Sequence, residues 1–227
     1  MFAIASQRRW NTHLAARLTA ATGTAFTEIR AVDELSLVNL TRLGVTRVFL
    51  PHWSHIIPRD VFEGVECIVF HMTDLPFGRG GSPLQNLIVR GITDTQVSAL
   101  RCVADLDAGP VYLKRPLSLH GSAEEIFLRA DRIIETMITD IIRDDPQPVA
   151  QHGEVVTFRR RRPDDGDWSA CATMEQVFDR IRMLDADGYP SAFVDVGEFR
   201  LLFSRASLRS DAVLADVRIV PRPTSTA

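Results

Sequence analysis

Apolar residues fall into two rhythms along this chain: short continuous runs, and stripes at helical spacing. Phe2-Ala3-Ile4-Ala5, Val45-Thr46-Arg47-Val48-Phe49-Leu50 and Cys67-Ile68-Val69-Phe70 are runs of strand length, and Thr24 to Arg30 alternates at the period of a strand. Between them, Asn11 is placed to cap a helix whose Leu14, Ala15, Leu18 and Ala21 share a face and which Gly23 ends. Ser36 is placed to cap a shorter helix ending at Gly44. Strands alternating with helices predict an α/β fold with a Rossmann-like, mostly parallel sheet. Further on, Pro83 to Arg90 reads as a helix, and Thr95 to Val103 and Val111 to Leu119 read as strands joined by a Gly/Pro turn. Ser122 with Glu125 forms a capping box for a helix through about Arg143. Its Ile126, Phe127, Ala130, Ile133, Ile134, Met137, Ile138 and Ile141 repeat at helical spacing and predict a buried stripe.

Pro146-Gln147-Pro148 ends that helix and divides the chain into a main domain, 1–150, and a small α+β extension, 151–227. The extension predicts a strand at Val155–Phe158, a helix over Thr173–Leu184, a hairpin over Ser191–Leu208 and a frayed tail from Pro221. The hairpin could pack on the main domain or pair two copies into a homodimer; both readings stay open.

Composition narrows the class. The net charge of −3 argues against a protein built to grip nucleic acid, and Arg159-Arg160-Arg161-Arg162 is followed by acids, as a solvated connector would be; a docking patch for a phosphate-bearing substrate or a partner is the other reading. No apolar run is long enough for a membrane span, and the N-terminus turns from apolar to basic, the reverse of a signal peptide. A cytoplasmic protein is expected. Cys67, Cys102 and Cys171 are few and widely spaced, so neither a disulfide framework nor a zinc site is implied. His52 and His55 lack companions at ligand spacing, and no metal is expected.

Chemistry gathers after the fourth strand. In parallel sheets ligands lie beyond the carboxyl ends of the strands, and His71 directly follows such an end. It opens the loop Met72-Thr73-Asp74-Leu75-Pro76-Phe77-Gly78-Arg79-Gly80-Gly81, and Leu106-Asp107-Ala108-Gly109 forms a second turn downstream. An imidazole beside a carboxylate suits acyl transfer, because imidazole takes or gives a proton at neutral pH and the acid orients it. The bland alternative is a histidine satisfying loop backbone.

These residues resemble the 10-formyltetrahydrofolate-dependent formyltransferases, which include methionyl-tRNA formyltransferase and the sugar N-formyltransferases. That family carries a loop Asn-x-His-x-Ser-Leu-Leu-Pro-x-x-Arg-Gly and a later Leu-Asp-Thr-Gly turn. The match is specific over about residues 45 to 145, and looser through Asp167-Trp168-Ser169 and the final hairpin. The resemblance implies 10-formyltetrahydrofolate as cosubstrate, with His71 and Asp107 as the catalytic pair. It places the pterin by Trp53, Ile56, Val103, Ala104 and Asp105, and the acceptor by Thr73, Arg79, Gly80 and Gly81. Trp53 reads equally well as core.

One position departs. Where the family has an asparagine that helps hold the formyl oxygen, this chain has Val69. Asn86, Asn11 or the backbone N–H groups of Gly80-Gly81 are the candidate replacements. The short branch of the family is the nearer resemblance, which implies an amino sugar on a nucleotide as acceptor and no nucleic acid. A carrier-bound aminoacyl group is the enzyme alternative, and a folate- or partner-binding module without turnover is the alternative from another class.

Overall fold

The computed structural model describes residues 1–223; of the tail expected to fray from Pro221, Pro221 instead ends a strand and Arg222 N–H donates to the Glu198 carbonyl at 2.9 Å, while residues 224–227 lie outside the described residues. In chain order the elements are β1 (Phe2–Ala5), α1 (Leu14–Thr22), β2 (Phe26–Ile29), α2 (Leu37–Arg42), β3 (Arg47–Leu50), α3 (Arg59–Gly64), β4 (Glu66–His71), β5 (Phe77–Gly80), α4 (Pro83–Ile88) and β6 (Asp94–Arg101). They continue as β7 (Val111–Ser118), α5 (Ala123–Asp144), β8 (Val156–Phe158), α6 (Met174–Arg182), β9 (Ala192–Val196), β10 (Phe199–Leu208) and β11 (Val213–Pro221). They fall into two compact units.

The first unit takes in residues 1–83, 95–117 and 128–158. Its main sheet has the order β2-β1-β3-β4-β6-β7. The first four strands run parallel, and β6 turns antiparallel against β4. Consecutive residues Val48, Phe49 and Leu50 are all buried, as in a strand covered on both faces. Phe2 meets Phe26 and Phe49 edge-on, with ring centroids 5.7 and 6.0 Å apart. Ile134, Met137, Ile138 and Ile141 of α5 are fully buried, as their spacing predicts.

The first unit differs from the sequence expectation at three places. Asn11 does not cap α1: it lies buried in a one-turn 3-10 helix, Arg9–Asn11, and His13 at φ 79° precedes the helix. The Asn11 amide instead donates to Asp131 and accepts from Ser6 Oγ at 2.6 Å. The crossover α3 was not expected, because it is one short helix that buries a single residue, Val61. The His71 loop also contains β5, which pairs parallel with β8 from the far side of α5.

The second unit takes in 84–94, 118–127 and the chain from 159 on. Its sheet has three strands, β11-β10-β9, rather than a hairpin alone. Inside this unit Gln85 Nε2 donates to the Met183 carbonyl at 3.1 Å, and Arg182 Nη1 donates to the Leu119 and Gly121 carbonyls at 2.6 and 3.0 Å. Phe127 stacks on Tyr189 at 5.3 Å. Among the described residues no helix is long and apolar enough to cross a membrane.

Candidate active site

β4 delivers His71 at its carboxyl end, opposite Ser98 of β6. Ser98 Oγ donates to the Thr73 carbonyl at 2.7 Å, and Lys114 Nζ donates to Asp74 and to the Leu75 carbonyl, each at 2.5 Å, so the loop leaves the sheet well tied. Fully buried Thr73 turns its hydroxyl onto the Gly78 carbonyl at 3.4 Å, where it holds the loop. β5 then pairs Phe77, Arg79 and Gly80 with Val156, Thr157 and Phe158.

His71 is 8% exposed, and its Nε2 lies 2.8 Å from the Gly78 carbonyl. A carbonyl only accepts, so Nε2 carries the hydrogen and the lone pair of the neutral ring sits on Nδ1. Nδ1 lies 3.6 Å from Asp107 Oδ2, and the same oxygen accepts from the Gly80 N–H at 2.9 Å. A proton taken up at Nδ1 therefore arrives beside a carboxylate that one main-chain donor already fixes. Asp107 holds this place at φ 52°, in the left-handed region unusual for a side chain other than glycine. Gly109 backs onto the sheet so closely that a Cβ there would collide with the Arg101 carbonyl oxygen.

Gln151, which the sequence reading did not single out, joins the two turns. Its Nε2 donates to the Asp107 and Gly109 carbonyls, both at 2.8 Å. Its Oε1 accepts from Arg79 Nε at 3.1 Å and Nη2 at 2.8 Å. A glutamine far from any motif leaves no signal in sequence. Arg79, expected to meet the acceptor, spends these two donors on Gln151.

The replacements weighed for the asparagine position are engaged elsewhere. Gly80 N–H binds Asp107 and Gly81 N–H binds the Phe158 carbonyl at 3.1 Å. Asn11 binds Ser6 and Asp131, while Asn86, in the second unit, donates to the Arg159 carbonyl at 2.9 Å. Val69 itself is half-buried and packs with Trp53 and Cys102 on the cluster that includes Val48, Leu50 and Cys67.

Of the expected pterin neighbours, Trp53 and Val103 are half-buried, Ala104 and Asp105 are exposed, and Ile56 is 80% exposed. Trp53 Nε1 is buried with no hydrogen-bond partner among the described residues, an orphan that a ligand's acceptor would satisfy. Burial, with the Asp107 carboxylate nearby, pushes the Cys102 thiol up to about 11, so it stands neutral beside the pair. Among the described residues no group of three or more His, Cys, Asp or Glu could hold a metal. His55 Nε2 instead lies 2.9 Å from Gln7 Oε1, and the His52 ring meets Trp10 edge-on.

The family model for the methionyl-tRNA formyltransferase C-terminal domain matches residues 163–220. A methionyl-tRNA formyltransferase from Clostridium thermocellum is 44% identical, with a TM-score of 0.94 over 97% of this chain and 99% of that one. One from Gluconobacter oxydans is 28% identical over 67% of this chain and 51% of its own length, so the match spans about half of that relative. A sugar N-formyltransferase from a Shewanella species shares 14% identity and a TM-score of 0.65, over 99% of this chain and 98% of that one, a likeness of fold alone.

Proposed function

This chain belongs to the formyltransferase family, and on that premise we propose that it moves a formyl group from 10-formyltetrahydrofolate to a primary amine. The observation that carries the reading is the His71–Asp107 pair at the carboxyl end of β4, with Nδ1 and Oδ2 3.6 Å apart. The folate supplies an activated formyl carbonyl whose carbon the amine attacks as the bond to its nitrogen breaks. His71 Nδ1 takes the proton the incoming amine must lose and returns it to the departing nitrogen. Asp107 faces the charged ring and keeps it oriented, while Gly80 N–H keeps the carboxylate in place. Trp53 and Val103 offer apolar walls for the pterin, with Ile56 and the backbone of Ala104 and Asp105 at its edge. The buried orphan Nε1 of Trp53 supports that fit. Arg79 and Gly81 shape the acceptor side from within the loop.

For the acceptor, an amino sugar on a nucleotide is the first reading, supported by the net charge of −3. An aminoacyl group on tRNA is the second. It is favoured by the C-terminal family model over 163–220 and by the Clostridium thermocellum relative, and together they remove the ground for excluding nucleic acid. The first compact unit, which runs through Phe158 and includes Gln151 and β8, would carry the chemistry.

The test is mass spectrometry after incubation with 10-formyltetrahydrofolate and, separately, nucleotide-linked amino sugars, aminoacyl-tRNA and carrier-bound aminoacyl groups. A gain of one CO on an acceptor, lost in His71→Ala, is expected. Transfer retained in His71→Ala would remove the histidine from the mechanism.

A further inference from the structure

We propose that Gln151 is a positioning residue for the catalytic pair, a role that rests on the formyl-transfer reading above. Its amide spends its full hydrogen-bonding capacity in one direction. Two carbonyl oxygens, those of Asp107 and Gly109, can only accept, and the Arg79 guanidinium can only donate, so the amide has one orientation that serves all three. The contacts close a ring: the Asp107 carboxylate holds Gly80 N–H, the neighbouring Arg79 holds Gln151, and Gln151 holds the Asp107 carbonyl.

The ring has work to do at that place. Asp107 sits at φ 52°, in the left-handed region that crowds a Cβ against the backbone, so an unheld turn would relax. Relaxation would swing Oδ2 away from His71, since the Gly80 N–H that donates to that oxygen belongs to the same ring. Gln151 therefore acts through Asp107 without touching the reacting atoms. It also couples the His71 loop to the segment after α5, which the motif alone does not link.

Two variants separate this role from general stability. Gln151→Glu keeps an acceptor for Arg79 but sets a carboxylate against two carbonyls; Gln151→Ala removes every contact. Each is expected to lower kcat by about 10–100-fold with KM for the folate changed less than about threefold, the scale of outer-shell orienting residues. In an Asp107→Asn background, Gln151→Ala is expected to cost less than about twofold further, because both substitutions act on one element. A full, multiplicative second loss would overturn the proposal.

The formyl-transfer reading fails separately, if the wild-type protein formylates none of the acceptors. Amide hydrogen exchange decides Gln151 in that case. Faster exchange confined to 105–109 and 78–81 in Gln151→Ala is expected, whatever the activity. Unchanged exchange there, or a loss of protection spread across the main sheet, would overturn the role.

Discussion

Val69 occupies the position where an amide would be expected to meet the formyl oxygen, and a valine cannot donate a hydrogen bond. The side chains and N–H groups that could have stood in for it are engaged with Asp107, Phe158, Asp131 and Arg159. A single lost donor of this kind costs about 2.7–4 kcal/mol in the transition state. Val69→Asn is therefore expected to raise kcat, by about tenfold or more, with KM little changed. Steady-state kinetics checks it. A fall in kcat in a folded variant would mean that another donor already serves the site and that the apolar side chain is needed for packing. His71 and Asp107 were legible because each stands in a Gly-rich turn directly after a strand signal. Gln151 was not, since its partners are main-chain carbonyls and an arginine 72 residues away.

At the scale of elements, the site depends on two close approaches. The Asp107 turn lies against β6 at Gly109, and β5 lies against β8 at Gly80, where a Cβ would run into the Phe158 carbonyl oxygen. Gly109→Ala is expected to destabilise the protein by about 2–3 kcal/mol, as overpacking against backbone does, and to abolish transfer. Gly91→Ala is the contrast. At φ 71° it has nothing within 4 Å, so it is expected to cost only the left-handed penalty of about 1 kcal/mol. Urea midpoints compare the two; equal shifts would show that the turn gives way freely. The parallel sheet, α5 and the loop after β4 were readable because apolar runs and capping residues are local signals. β5 was not, because Phe77-Gly78-Arg79-Gly80 has weak strand propensity and is held by a partner strand beyond α5. The same pairing carries the first compact unit through Phe158, past the predicted division at 150. β11 was missed although Asp216-Val217-Arg218-Ile219 alternates at the period of a strand; it pairs antiparallel with β10 and extends the expected hairpin to three strands.

The whole molecule carries a pH dependence in one buried network. Asp131, with a side chain 8% exposed, binds Asn11, and Arg17 Nη2 stands 3.8 Å from it. Burial outweighs the Asn11 hydrogen bond and the Arg17 charge and lifts its carboxyl from 3.8 to about 6. The folded chain thus holds this proton more tightly than the unfolded chain. Its contribution is fully present below about pH 4 and is lost as pH rises towards 6. Asp131→Asn keeps an acceptor for Asn11 and removes the titration. It is expected to flatten that part of the stability curve and to stabilise the protein at pH 7 by on the order of 2 kcal/mol. Chemical denaturation at pH 4 and 7 checks both; a variant less stable at pH 7 would mean the Arg17 interaction outweighs desolvation.

Formyl transfer itself tests the role of the His71–Asp107 pair. Wild-type protein, His71→Ala and Asp107→Asn would each be incubated with 10-formyltetrahydrofolate and the three acceptor classes, and products followed by mass. A gain of one CO on one class is expected with the wild type, none with His71→Ala and a much slower gain with Asp107→Asn. Equal transfer by all three proteins would contradict that role.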